Sequence, residues 1–184
     1  MKLVYLTKTI EIPEEIDITI DNKKVSVKGQ KGVLTSDYTD HDIDLEKREN
    51  ALIITGFFLN KKKKAKTLAV VGGIQNMIKG VTNGYVYKSK IVFSHFPITV
   101  EIKDKQRQIL IKNLYGGRKV LTVPIVGNDT KVRIDKDDVI IEGIDKQAVG
   151  QTAANMQERC RLRGKRKKDP ETFMDGIWVW QKKE

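Results

Sequence analysis

One cysteine, Cys160, and two histidines, His41 and His95, are all that the 184-residue chain offers of the residue types that dominate metal and nucleophile chemistry. A single cysteine forms no internal disulfide and no thiolate cluster, which fits a reducing, cytosolic-type compartment. Neither histidine has a His or Cys partner at ligand spacing, so no metal cage or nucleophile–base pair presents itself. His41, in Asp40-His41-Asp42, reads as a solvated loop histidine. Long apolar runs are missing as well, none approaching the roughly 20 residues that span a bilayer. The opening MKLVYLTKTIEIPEE has too short an apolar stretch, and acidic residues too early, for a signal peptide. No carboxylate cluster stands out, because the acidic residues gather at turns, where Asp bonds its local backbone. Two glycine-bearing segments, Lys28 to Gly32 and Asn113 to Lys119, match neither GxxxxGKS/T nor GxGxxG, and both fall between strands. They read first as turns or bulges needing a positive φ. The expectation is a protein with no catalytic site, no cofactor and no metal.

Positive charge is what the chain has in excess. Its 35 Lys/Arg against 24 Asp/Glu give a net charge of +11 and a pI near 9.6. A surplus of that size favours a polyanionic partner. The charge is also segregated. Residues 1 to 60 carry 8 basic and 11 acidic side chains, whereas residues 61 to 90 carry 8 basic and none acidic. Arg159 to Lys168 is almost wholly basic. Solubility is better served by interspersed charge, so concentrated clusters point to a phosphate footprint. Lys61, Lys62, Lys63 and Lys64 sit at or just before a helix start, where cations oppose the helix dipole and need an external partner. A nuclear-import signal is compatible with the same lysines. Arg159 suits the end of a later helix, while Arg163, Lys165, Arg166, Lys167 and Lys168 run on past Gly164.

The chain also repeats itself. Ile16 to Ile20 alternates apolar and polar residues, as does Ile98 to Ile102. Val25 and Val27 answer to Ile109 and Ile111, Val33-Leu34-Thr35 to Val120-Leu121-Thr122, and Ile43 and Leu45 to Val132 and Ile134. The strongest echo sets Leu52-Ile53-Ile54-Thr55-Gly56 against Val139-Ile140-Ile141-Glu142-Gly143. Period-two alternation marks half-buried strands, and Asp, Asn and Gly punctuate them. After each terminal glycine the period becomes helical, through Leu68, Val71, Gln75, Ile78 and Val81, and again through Val149, Thr152, Met156 and Cys160. Cys160 on that stripe reads as a buried structural thiol. The predicted architecture is α+β: two tandem small domains of like fold, each an antiparallel sheet packed with one helix. The predicted domains are residues 1–88 and 89–184, joined between Tyr85 and Ser94.

Three strings carry a family resemblance. They are Gln75-Asn76-Met77-Ile78-Lys79-Gly80-Val81-Thr82, then Gly84, Tyr87-Lys88 and His95-Phe96-Pro97-Ile98, and a C-terminal set. That set comprises Gly143 to Gln147, Gln151-Thr152-Ala153-Ala154, and Phe173-Met174-Asp175-Gly176-Ile177-Trp178-Val179. Together they resemble the archaeal/eukaryotic large-subunit ribosomal protein six family, whose eukaryotic members are also called large-subunit protein nine. The resemblance spans essentially the whole chain. Glu171 and Trp178 depart from it, since the family usually shows a basic residue and Tyr there.

The resemblance implies two domains of one α+β fold, derived by duplication, with no catalysis. It implies binding to large-subunit rRNA, mainly through the second domain, near the stalk base and the sarcin-ricin loop. Neighbouring large-subunit proteins and nearby translational GTPases would be its other partners, and no membrane. The place would be the cytoplasmic ribosome, and the nucleolus during assembly in a eukaryote. Carried over position by position, the RNA-facing candidates are Gly116, Gly117, Arg118 and Lys119. Gln151, Thr152 and Asn155 follow on the second helix, with the tail around Lys168 to Asp175. The same surfaces would serve a free-standing RNA-binding regulator.

Overall fold

Ile18, Val25, Val27, Leu52 and Ile54 fall at every second position of short strands, and all five have no exposed surface. A period of two places every second side chain on one face of a strand, so these positions define the inner faces. The computed structural model, which describes residues 3–48, 50–161 and 172–183, divides the chain into units 1–84 and 85–184. The first unit runs β1 (Leu3–Glu11), β2 (Asp17–Asp21), β3 (Lys24–Gly29), β4 (Gly32–Asp37), β5 (Ile43–Arg48), β6 (Ala51–Leu59) and α1 (Lys61–Thr82). Its strands form two antiparallel sheets, in the orders β1-β6-β5 and β2-β3-β4.

Helix α1 begins where the Asn60 side chain accepts the Lys63 N–H at 2.8 Å. This is the N-cap device that satisfies an otherwise orphaned donor. It ends where Asn83 and Gly84 both donate to the Lys79 carbonyl, with Gly84 at φ 71°, a left-handed stop natural to glycine. The buried face is Thr67, Val70, Ile74, Met77, Ile78 and Val81. It is rotated from the stripe expected from sequence: Leu68 is 41% exposed and Gln75 faces solvent. Packing on β3 and β6 selects the face, and Val70 and Ile74 fill it better than Leu68 and Gln75.

The second unit runs β7 (Tyr85–Val92), β8 (Thr99–Lys103), β9 (Gln108–Lys112), β10 (Leu121–Pro124), β11 (Lys131–Asp135), β12 (Asp138–Gly143), α2 (Lys146–Cys160) and β13 (Gly176–Lys183). Its sheets are β10-β9-β8 and β11-β12-β7-β13. The order repeats that of the first unit. β12 lies between β11 and β7 as β6 lies between β5 and β1, and each three-stranded meander precedes that pair. β13 is the addition, laid antiparallel along the outer edge of β7. Among the described residues the chain is thus mixed α+β, with antiparallel sheets and one α-helix in each unit, although the strands of each unit divide between two sheets.

The junction differs from the expectation. Tyr85 to Val92 is no linker but a central strand, hydrogen-bonded to β12 on one edge and β13 on the other. Tyr85 to Lys88, expected to close the first domain, open the second unit. The reason lies in the repeat itself, which starts one strand earlier than the Ile16 and Ile98 echoes, at β1 and β7. Inside this second unit Ile109, Ile111, Val139, Ile141, Val149 and Met156 have no exposed surface and form the core. Among the described residues, no helix is long and apolar enough to cross a membrane, and no group of three or more His, Cys, Asp or Glu is placed to hold a metal ion.

Candidate nucleic-acid interface

The loop between β9 and β10 holds four of the sequence candidates. Asn113, Tyr115 and Gly116 all take left-handed conformations, at φ 59°, 54° and 71°. Such residues turn a chain sharply and persist only where the surroundings hold them. Here two strings remote in sequence, residues 94–97 and 173–175, do the holding. Asn113 Nδ2 donates to the Pro97 carbonyl at 3.0 Å. The Tyr115 hydroxyl lies 3.5 Å from the Phe173 carbonyl and 3.3 Å from that of Asp175. The Ser94 N–H reaches Asp175 Oδ2 at 3.4 Å. Burial, with the Asp175 charge adding to it, pushes the Tyr115 phenol above its usual pKa, so it remains a neutral donor. From this braced stem Gly116, Gly117, Arg118 and Lys119 project into solvent.

Helix α2 holds the second group. The Asp145 side chain accepts the Gln147 N–H at 2.8 Å and starts it. Gln151 is exposed and Asn155 half-buried, with Gln151 Nε2 donating to Asn155 Oδ1 at 2.8 Å. Both amides are therefore oriented before any ligand arrives. Thr152, expected to face RNA, does not. It has no exposed surface; its hydroxyl donates to the Ala148 carbonyl at 2.8 Å and accepts the Val126 N–H at 3.0 Å. It ties a loop to the helix. Thr152→Val keeps the shape but leaves the part-buried Val126 N–H without this acceptor. That change should cost about 1–3 kcal/mol by thermal denaturation, with the salt dependence of RNA binding unmoved. A changed salt dependence at full stability would restore Thr152 to the interface.

The end of α2 and strand β10 form a groove of about 550 Å³ lined by Leu121, Pro124, Asn155, Glu158, Arg159 and Arg161. Arg161 leans on Glu158 at 3.7 Å. Because Arg118 and Lys119 lead directly into β10, the loop and the helix end flank the same strand. Cys160 lies beneath, buried as expected, and burial pushes its thiol up to about 11, so it is no nucleophile at neutral pH. Arg163, Lys165, Arg166, Lys167 and Lys168 lie outside the described residues, as does the tail as far as Glu171.

The lysine cluster belongs to the other unit. Lys61, Lys62, Lys63 and Lys64 form the first turn of α1, and Lys63 Nζ meets Asp42 at 2.7 Å. A hydrogen bond and the charge of Lys63 hold the Asp42 carboxyl below its ordinary value. A shallow recess brings Asp40, His41 and Asp42 together with Lys62, Lys63 and Lys66. Part of this cluster is thus offset within the chain. His41, expected to be solvated, packs edge-on against Tyr38 with ring centroids 5.9 Å apart, and its Nδ1 is buried.

Sequence reasoning passed over Tyr115 as a brace and Phe96 as an exposed aromatic beside the loop. The string His95-Phe96-Pro97 was the available signal. No family model matches the chain. Curated proteins resemble it over nearly its whole length. Large ribosomal subunit protein uL6 of Staphylothermus marinus is 41% identical over 181 residues, 98% of this chain and 96% of that protein. The protein of the same name from Desulfurococcus amylolyticus is 36% identical over 184 residues, 100% of this chain and 98% of the relative. That from Sulfurisphaera tokodaii is 37% identical over 183 residues, 99% and 95% respectively.

Proposed function

This chain belongs to the large ribosomal subunit protein uL6 family, and from that premise we propose that it is held in the large subunit chiefly by its second unit, 85–184. As a ribosomal protein it is a structural component and not an enzyme. The proposed contacts are electrostatic and positional. Arg118, Lys119 and Arg159, with Arg163, Lys165, Arg166, Lys167 and Lys168 beyond, meet phosphates of large-subunit rRNA and release counterions. Gln151 and Asn155 reach backbone or 2′-OH groups, the contacts by which folded RNA is recognised through shape. The observation that carries this reading is the convergence on β10. A braced basic loop leads into one end of the strand, and a basic helix end packs along it with an oriented amide pair.

The finer location, near the stalk base and the sarcin-ricin loop with translational GTPases docking close by, is part of the same proposal and rests on the family resemblance. Lys61 to Lys64 are assigned a lesser role, since Asp42 already holds Lys63. Titration of the protein onto large-subunit rRNA between 50 and 200 mM salt tests the mechanism. With six or more phosphate contacts, affinity should fall by about a thousandfold or more across that range. A salt-independent affinity would overturn it.

A further inference from the structure

Phe96 occupies an unusual position for an aromatic side chain. It is 49% exposed, yet a Cβ placed on Gly116 would lie 3.1, 3.2 and 3.2 Å from three consecutive carbons of its ring. An edge-on approach would bring one ring carbon close and leave its neighbours well behind. Near-equal distances to three carbons mean that the ring lies with its face over the Gly116 backbone. One face is therefore seated on bare main chain, while the residue as a whole stays about half exposed.

The seat is built. Asn113 holds the Pro97 carbonyl, Tyr115 holds the Phe173 and Asp175 carbonyls, and Ser94 donates to Asp175. Those bonds pin the segments before, beneath and beside Phe96. Gly116 is needed twice over, for its φ of 71° and because any side chain would drive into the ring. Gly117, Arg118 and Lys119 continue the same loop, exposed. Phe93 and Met174, on the strings joined by these bonds, are 41% and 55% exposed. Exposed aromatic surface is poorly hydrated, and on a loop that goes on to carry the exposed Arg118 and Lys119 it suits a partner that is flat, apolar on its faces and attached to phosphate.

We propose that Phe96 is a base-stacking platform for an unpaired nucleotide of the bound RNA, whose flanking phosphates are met by Arg118 and Lys119. This deepens the proposed function and rests on it. An unpaired base is specified because a duplex buries its base faces in its own stack, whereas bulges and loops offer theirs to aromatic side chains. The charge of the loop favours RNA over a neighbouring protein as the occupant.

The test uses the full chain and two RNA hairpins of equal phosphate count at low salt. One hairpin carries a single 2-aminopurine bulge, and the other is fully paired. The wild type should bind the bulged hairpin about tenfold more tightly, with 2-aminopurine fluorescence quenched. F96L, which keeps an apolar side chain but no π-face, should lose both the preference and the quenching while keeping the salt slope. F96W should restore them, which separates stacking from any folding defect in F96L. Equal binding of both hairpins by the wild type, or a preference surviving in F96L, overturns the stacking proposal and leaves phosphate binding standing. Binding to neither hairpin overturns the RNA-binding reading beneath it.

Discussion

Alanine at Arg163, Lys165, Arg166, Lys167 and Lys168 together should weaken binding to large-subunit rRNA by two orders of magnitude or more, and flatten its dependence on salt. Each cation removed from a phosphate returns one condensed counterion site to the RNA. The slope of log K against log salt should therefore fall by about 0.7–0.9 for each phosphate left unneutralised, or about four in all. The matching change at Lys61, Lys62, Lys63 and Lys64 should have a smaller effect. That cluster is in the first unit, and Lys63 already pairs with Asp42 at 2.7 Å. Neither change should unfold the protein. The four lysines are outside the buried face of α1, and the C-terminal run follows the last buried residue of α2. Titrations of both variants at several salt concentrations distinguish the outcomes. Equal losses, or a larger loss from the lysine cluster, would reverse the assigned order of importance.

Ile141→Ala should produce the largest loss of stability from a single substitution. Ile141 lies in β12, which pairs with β11 and β7, and it has no exposed surface. Truncating such a side chain removes its burial and leaves a cavity that close-packed neighbours fill only partly, at a cost of about 2–5 kcal/mol. For a unit of this size each kcal/mol lowers the midpoint by about 4–8 °C, so a shift on the order of 10–30 °C is expected in calorimetry. Ile54, at the equivalent place in β6 of the first unit, is buried to the same degree. Ile54→Ala should destabilise the first unit comparably and leave rRNA affinity near the wild-type value at temperatures where the second unit stays folded. Loss of affinity in Ile54→Ala at such a temperature would show that binding needs both units.

The alternation of Ile16 to Ile20, Val25 and Val27, and Leu52 to Gly56, with its echo in the second half, was enough to indicate antiparallel strands followed by a helix in each half, but not the division of each unit's strands between two sheets. Strand β7 escaped because its inward positions are Tyr85, Tyr87, Ser89 and Ile91. A buried serine between two lysines hides the alternation, and a strand paired on both edges has no polar edge residues to mark it. The helix stripe was misplaced at Leu68 because hydropathy ranks side chains, whereas the sheet beneath α1 chooses among overlapping faces. Thr152 illustrates a different limit. A threonine on a helix reads equally as a surface donor or as a buried tie, and only the position of the Val126 N–H decides between them. Arg118 and Lys119 were recognisable from charge beside glycines, but the bonds that brace their loop join residues 94–97, 113–116 and 173–175, a proximity that no local pattern encodes.

Whether the second unit is the one that grips rRNA is tested most directly by a density map of the large ribosomal subunit that contains this chain. The expected map shows rRNA against the second unit. Arg118, Lys119 and the end of α2 should lie within hydrogen-bonding distance of phosphate oxygens, with an unstacked base over Phe96 and RNA absent or sparse around Lys61 to Lys64. A map in which the β10 face of that unit meets only protein or solvent, while the rRNA runs along the start of α1, would contradict it.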